Sequence, residues 1–283
     1  MKIAITGASG FLGRYILEEL DTKLLNIIAV TRNFQKQLPV LAKGKWITLD
    51  ITNPPENAFE LMGRPDILIH LAWDGLPNYK SLHHVEKELP QQYAFLKQIV
   101  EHGLKSLVIT GTCFEYGMQS GLLNEDIPPK PSNPYGSAKN ALCHQLQCLQ
   151  RTSAFNLTWA RLFYIYGDGQ ADNSLWPQLK RAVADNKPRF NMSGGEQVRD
   201  YLPVRKVAKY LVQLAIKRQN MGLVNICSGQ PIRIKTLVES WVRENNWSIK
   251  LNLGYYPYPD YEPMKFWGDP SKLLSILKPM EST

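Results

Sequence analysis

The chain alternates between two hydrophobic patterns. Apolar runs of strand length stand between longer stretches in which apolar residues recur at helical spacing. The runs are Lys2–Ile5, Asn26–Val30, Trp46–Asp50, Pro65–Trp73, Ser106–Thr110 and Leu157–Leu162, with Leu223–Cys227 returning late in the chain. Pro65–Trp73 is almost continuously apolar, as in a strand covered on both faces. The helical stretches are Arg14–Leu20, Leu89–Glu101, Leu175–Asp185, Lys206–Ile216 and Ile234–Asn245. Strands alternating with helices predict an α/β fold built on a parallel, doubly wound sheet, with its ligand site at the carboxyl ends of the strands.

Chemistry-bearing residues cluster where those strands end. The first strand runs into Thr6-Gly7-Ala8-Ser9-Gly10-Phe11-Leu12-Gly13 and then a helix. Strand, glycine-rich turn and helix together make a phosphate cradle: small residues let the backbone approach a pyrophosphate, and free amides at the helix start meet it. The second strand ends in Thr31-Arg32-Asn33 with no acidic residue to bind ribose hydroxyls. Arg32 offers a guanidinium suited to a ribose 2′-phosphate, which favours NADP(H) over NAD(H); the plainer reading is a solvated loop residue. Asp50 and Ile51 follow the third strand, where an adenine can lie, and Leu71 and Ala72 follow the fourth, beside the ribose and nicotinamide. His70, among apolar neighbours, reads as a satisfied core histidine. The loop from Asp74 to Lys80 is placed to touch substrate.

The fifth strand ends in Thr110-Gly111-Thr112-Cys113-Phe114-Glu115-Tyr116-Gly117, and Asn133-Pro134-Tyr135-Gly136-Ser137-Ala138-Lys139 opens a helix. Tyr135 and Lys139 are spaced to share one helix face. A cation beside a phenol stabilises the phenolate, so Tyr135 is expected to titrate below the ordinary value of about 10 and to exchange protons with a substrate oxygen.

Composition narrows the classes. A length of 283 residues with 44% hydrophobic content suffices for one large domain or two modest ones. The net charge of +8 suits anionic ligands such as diphosphates. There is no Lys/Arg run interleaved with aromatics, so nucleic acid is not an expected partner. Cys113, Cys143, Cys148 and Cys227 fit neither a disulfide framework nor a metal site and read as reduced thiols. Neither a signal peptide nor an apolar membrane span is evident, and the expectation is a soluble, cytoplasmic protein without a metal.

Taken jointly, Thr6-Gly7-x-x-Gly10-Phe11-Leu12-Gly13, Asp50, His70-Leu71-Ala72, Thr112 ahead of Tyr116-Gly117, Tyr135-x-x-x-Lys139, Arg161-Leu162-Phe163-x-x-Tyr166-Gly167 and Arg199-Asp200-Tyr201-Leu202-Pro203-Val204 carry a resemblance. Over essentially its whole length the chain resembles the extended short-chain dehydrogenase/reductases, the family of nucleotide-sugar epimerases, dehydratases and 4-ketoreductases. The resemblance implies a Rossmann-type cofactor domain (residues 1–165 with 200–230 returning to the sheet) and a smaller α/β substrate domain (166–199 and 231–283).

It also implies roles. Thr112, Tyr135 and Lys139 are catalytic: Thr112 bonds the reacting sugar oxygen, Tyr135 is the acid in reduction and the base in reverse, and Lys139 binds the nicotinamide ribose while lowering the Tyr135 pKa. Gly7, Ser9, Gly10, Phe11, Leu12, Arg32, Asp50, Ile51, Leu71 and Ala72, with Tyr135 and Lys139, hold the cofactor. Trp73, Thr112, Cys113, Tyr135, Tyr164, Arg199, Tyr258 and Glu262 meet the substrate, with Arg199 on its diphosphate.

Departures from the family pattern sharpen this. Dehydratases carry acids directly after the catalytic threonine, where this chain has Cys113 and Phe114, and Glu115 points the other way in an extended segment. Tyr164 stands where relatives have asparagine. An asparagine common near the start of the helix before the fifth strand is replaced within Glu88-Leu89-Pro90-Gln91-Gln92. A second phosphate-binding arginine is absent between Tyr255 and Phe266, leaving Lys265 or another group to substitute. The aromatic, proline-punctuated tail, including Tyr255, Tyr256 and Tyr258, either stacks on a base or sugar or packs a small domain.

The implied activity is NADPH-dependent reduction of the 4-keto group of a dTDP- or CDP-linked 4-keto-6-deoxyhexose, in deoxysugar synthesis for O-antigen or other surface polysaccharide, by a homodimer. The alternatives are a 4-epimerase with tightly held NAD and a non-catalytic NADP-binding regulator.

Overall fold

The computed structural model describes residues 1–23, 25–33 and 38–278. Its first half runs β1 (Lys2–Thr6), α1 (Phe11–Asp21), β2 (Asn26–Thr31), β3 (Gly44–Thr48), α2 (Ala58–Leu61), β4 (Ile67–His70), α3 (Leu89–Glu101) and β5 (Ser106–Thr112). Then come β6 (Gly121–Leu123), α4 (Pro134–Leu149), β7 (Asn156–Leu162), β8 (Tyr164–Tyr166), α5 (Leu175–Ala184), β9 (Arg189–Asn191) and β10 (Val198–Pro203). The chain finishes with α6 (Val204–Lys217), β11 (Gly222–Ile226), β12 (Pro231–Arg233), α7 (Ile234–Glu244), β13 (Lys250–Asn252), β14 (Phe266–Gly268) and α8 (Ser271–Leu277).

Seven strands form one sheet in the order β11-β7-β5-β4-β1-β2-β3, parallel throughout. The near-continuous apolar runs are explained by its two faces. Ile3, Ile5, Ile27 and Ala29 point towards Ile16 and Leu17 of α1 and Val207 and Leu211 of α6. Their alternates Ala4, Ile28, Val30 and Leu68 point towards Phe95 and Leu96 of α3 and Leu142 and Leu146 of α4. Successive side chains on a strand face opposite ways, so burial on both sides requires apolar residues at every position. The doubly wound sheet expected from the sequence is therefore present. The third strand begins earlier than the Trp46–Asp50 run, at Gly44, and the fourth is confined to Ile67–His70.

Three small sheets lie outside the large one: β12-β10-β8, β13-β9 and β14-β6. Beside them is a separate core of Phe190, Leu237, Val238 and Trp241, against which Trp176 and Tyr166 pack. These strands have only three to six residues, too short to show an alternation in sequence. The β14–β6 pair, Phe266 opposite Gly121, ties the end of the chain to the segment just after β5.

Immediately after β5 the chain is not extended but folds into one tight turn, Cys113–Tyr116. Glu115 drives it. Its carboxylate is fully buried and accepts from the Thr112 amide at 2.8 Å, from Trp159 Nε1 at 3.0 Å and from Arg161 Nε at 2.6 Å. Arg161, on β7, is itself buried and lies against the Tyr116 ring. Removing one partner of such a pair leaves a buried charge unpaired. Arg161→Met is expected to destabilise the protein by about 3–5 kcal/mol, read from the urea midpoint, with Glu115→Leu/Arg161→Met recovering part of the loss.

Candidate active site

The strand ends of the large sheet are in register: Thr6 is opposite His70, His70 opposite Ile109, and Thr112 opposite Leu162. Along this rim runs a cavity of about 520 Å³. It is lined by Gly7, Ser9, Gly10, Phe11, Leu12, Arg32, Ile51, Leu71, Ala72 and Trp73 on one side, and by Thr112, Cys113, Tyr135, Lys139 and Tyr164 on the other. Asp50 is beside it rather than in its wall. One carboxylate oxygen of Asp50 takes the amide and hydroxyl of Thr52 at 2.9 and 2.8 Å. Those two bonds, more than the charge of Arg32, hold its pKa below the usual carboxylate value.

The glycine turn is built for close approach. Gly7 has φ +69°, and a Cβ there would sit 2.8 Å from the Ala72 amide. A Cβ on Gly13 would sit 2.3 Å from the Gly7 carbonyl, so α1 could not pack against β1. Helix α1 starts at Gly10 without a side-chain cap, and its first residues Phe11 and Leu12 line the cavity. A tightly packed glycine turn leading into an uncapped helix start fits the pyrophosphate of a dinucleotide. Arg32 stands at the β2 end of the groove, its Nη1 3.9 Å from Asp74.

At the other end, Asn133 caps α4 by accepting from the Gly136 amide at 2.8 Å, and the Tyr135 amide donates to the Tyr79 carbonyl. Tyr135 is buried within an aromatic wall: His84, Tyr79, Trp73 and Phe114 have ring centroids 5.2, 5.6, 6.0 and 6.3 Å away. Here the structure corrects the expected pKa. Burial is the largest influence and pushes the phenol up, neighbouring Tyr79, Glu115 and Cys113 add to it, and only the Thr112 hydroxyl pulls it back. Lys139 is turned elsewhere: its Nζ donates to the Thr110 carbonyl at 3.0 Å and sits 3.8 Å above the Trp73 ring. Burial lowers the Lys139 pKa to about 7.

Behind the site lies a buried polar chain. Thr6 Oγ1 is 2.7 Å from His70 Nδ1, His70 Nε2 is 2.7 Å from Gln92 Oε1, and Gln92 Nε2 donates to Glu88 Oε2 at 2.9 Å. Glu88 Oε2 also accepts from the Asp74 amide. Gln92 and Glu88 both line the cavity. Glu88, Asp74 and His83 bring ligand-type atoms within 4.8 Å of one another, but Glu88 and Asp74 already have these partners and Arg32. His70 is thus the satisfied core histidine that the sequence implied, whereas His84 and the links through Gln92 to Glu88 escaped the sequence reading; the signal was His84, Glu88 and Gln92 at successive helical turns.

Of the expected substrate residues, Arg199 and Glu262 lie outside the main cavity. Arg199 is buried; its Nη1 donates to the Val198 and Met264 carbonyls and its Nη2 is 2.9 Å from Glu262. Tyr164 donates to the other Glu262 oxygen. The three line an adjoining cavity of about 360 Å³, which Tyr164 shares with the main one. Tyr258 lines neither, its hydroxyl end packing on Gly194. Glu115 is directed into the core, so no acid follows Thr112 into the cavity.

Residues 3–227 match the model of a family described as the NAD dependent epimerase/dehydratase family. The chain belongs to that family. This epimerase/dehydratase chain is 31% identical to the dTDP-6-deoxy-L-talose 4-dehydrogenase (NAD(+)) of Aggregatibacter actinomycetemcomitans, over 95% of its own length and 99% of the relative's. It is 27% identical to the GDP-6-deoxy-D-talose 4-dehydrogenase of the same organism, over 98% and 91%. Among solved structures it resembles MoeE5 in complex with UDP-glucuronic acid and NAD, with a TM-score of 0.83, 22% identity and coverage of 100% and 94%. These likenesses establish the Rossmann-type fold. No helix among the described residues is long and apolar enough to cross a membrane.

The polar chain makes a pH prediction. Burial, aided by Lys139, lowers the His70 pKa to about 3 from its ordinary 6.5. The unfolded ring therefore takes a proton that the native ring refuses. Its contribution is complete above pH 6.5 and is lost as pH falls towards 3. Urea midpoints of the wild type should fall between about pH 6.5 and 5 more steeply than those of His70→Gln, whatever the variant's starting midpoint.

Proposed function

We propose that the protein is a nicotinamide-dependent oxidoreductase acting at C4 of a nucleotide-activated 6-deoxyhexose, reducing a 4-keto group. The observation that carries this is the pairing of Thr112, Tyr135 and Lys139 in one cavity with a dinucleotide groove, while the positions after Thr112 supply no acid or base. Cys113 is a buried thiol pushed far up, Phe114 is apolar, and Glu115 is bound to Arg161. Proton exchange at a carbonyl is supported; water elimination is not. The two 4-dehydrogenases of 6-deoxy-talose nucleotides support the same carbon, since dehydrogenation is the reverse of ketoreduction.

When bound, the dinucleotide supplies the hydride. Thr112 orients the sugar oxygen from the end of β5, and the Tyr135 hydroxyl passes its proton to that oxygen as hydride reaches carbon. A phenol that burial keeps protonated is the form a reductase needs. The Lys139 ammonium then stabilises the phenolate left behind. The nucleotide sugar is placed between the rim of the large sheet and the segments 166–199 and 231–283, with Arg199 on the diphosphate.

An assay of NAD(P)H oxidation with a panel of 4-keto-6-deoxy nucleotide sugars tests this, with a dTDP- or CDP-linked member expected to turn over. Tyr135→Phe should lose about 10²–10⁴ in kcat while still binding reduced cofactor. Epimerisation of an unoxidised sugar nucleotide, with no oxidation of cofactor by any keto sugar, overturns the reductase reading.

For the cofactor, Arg32 supports NADP(H). A specific observation favours NAD(H) as the second reading: Asp74 shares the Arg32 guanidinium, and one relative is named for NAD(+). The expected outcome is a lower KM for NADPH than for NADH, and a rise of about tenfold in the NADPH value alone in Arg32→Ala. A wild type that prefers NADH, with Arg32→Ala indifferent, decides for NAD(H).

A further inference from the structure

Lys139 sits in an unusual setting for a buried cation. Among the described residues no carboxylate forms an ion pair with it; Glu115 from the turn after β5 and Glu88 ahead of α3 favour its charge only at a distance. What touches the ammonium is the Thr110 carbonyl and the face of the Trp73 indole, 3.8 Å from the ring centroid. An aromatic face attracts a cation through its quadrupole, more strongly where water is excluded.

The indole is not free to turn. Its Nε1 donates to His84 Nδ1 at 3.1 Å, and the two rings are stacked with centroids 6.3 Å apart. His84 is fully buried, and its Nε2 donates to the Asn78 carbonyl at 2.9 Å. That acceptor fixes the tautomer, leaving Nδ1 as the lone pair the indole needs. Burial lowers the His84 pKa, which keeps the ring neutral in this role. Asn78 belongs to the same loop whose Tyr79 carbonyl receives the Tyr135 amide. One loop therefore sets both the start of α4 and the orientation of the indole.

We propose that Trp73, held by His84, is a positioning residue for the catalytic cation: its π face keeps the Lys139 ammonium charged and on the groove side of α4. The indole takes the place of the carboxylate that a buried lysine ordinarily requires. A carboxylate there would neutralise the charge that Tyr135 needs, whereas a quadrupole stabilises the ammonium without cancelling it. The titratable groups facing Lys139 are Glu115, Glu88 and the neutral rings of His70 and His84. Burial lowers Lys139 to about 7 even with Glu115 and Glu88 pulling it up, so its protonation near neutrality depends on what this face contributes.

The proposal rests on the role given to Lys139 above, and its test requires no substrate. The full-length protein is labelled with 13Cε-lysine, and the Lys139 signal is assigned by its loss in Lys139→Met. Its titration midpoint is then followed in Trp73→Leu, Trp73→Phe, His84→Phe and His84→Gln. The expected result is a fall of about one pH unit in Trp73→Leu, a tenfold weaker hold on the proton, with a smaller fall in Trp73→Phe. His84→Phe should follow Trp73→Leu in direction, and His84→Gln, which restores an acceptor for the indole, should recover the wild-type midpoint. An unchanged midpoint in Trp73→Leu, whatever its thermal stability, overturns the proposal. If that variant does not fold, unchanged midpoints in Trp73→Phe and His84→Phe do the same. Absence of turnover with every keto sugar would refute the reductase reading and leave this result as it stands.

Discussion

The buried carboxylate of Glu115 is the constraint on which the cavity end of the large sheet depends. By gathering the Thr112 amide, the Trp159 indole and the Arg161 guanidinium, it bends the chain sharply where β5 leaves the sheet. The bend leaves Thr112 lining the cavity and places the Phe114 carbonyl beneath α4, so close that a Cβ on Gly136 would lie 2.6 Å from it. Tyr135 immediately precedes that glycine. The position of the phenol is thus set by a glycine lodged on a turn, and the turn by an ion pair with no chemistry of its own.

Much of this was legible in the sequence, and the reason is burial on both faces. A strand covered by helices on two sides has to be apolar at every position, and that run is short and conspicuous. Gly7 and Gly13 are legible because a conformation or a clearance demands them. The short strands β8 and β12–β14 were not, because three residues paired at the margin need no particular pattern. Glu115 showed the limit of local reasoning. In an extended segment it points away from the cavity, and it does, but by way of a turn fixed by Trp159 and Arg161, more than forty positions on. The Tyr135–Lys139 spacing put the two side chains on one helix beside the cavity, but did not give their electrostatics. A spacing rule knows the distance between two side chains and nothing about the water that folding removes.

Arg199 makes a related point about charge. Its guanidinium is satisfied within the fold by Glu262 and two carbonyls, and Tyr164 closes on the same carboxylate. A diphosphate reaching this arginine competes with a carboxylate already in place. Under the proposed role for Arg199, recognition there would be an exchange of one anion for another, its free energy the difference between two strong interactions.

The pairing of β14 with β6 bears on the order in which the parts come into being. Every strand from β3 to β7 of the large sheet, with the groove along its rim, is encoded before residue 163, whereas Glu262 and the strand that moors it lie within the last stretch of the chain. Chains emerge from the ribosome amino end first and fold in that direction. The part that carries the glycine turn can therefore be assembled while the strand that will pair with β6 is still being translated.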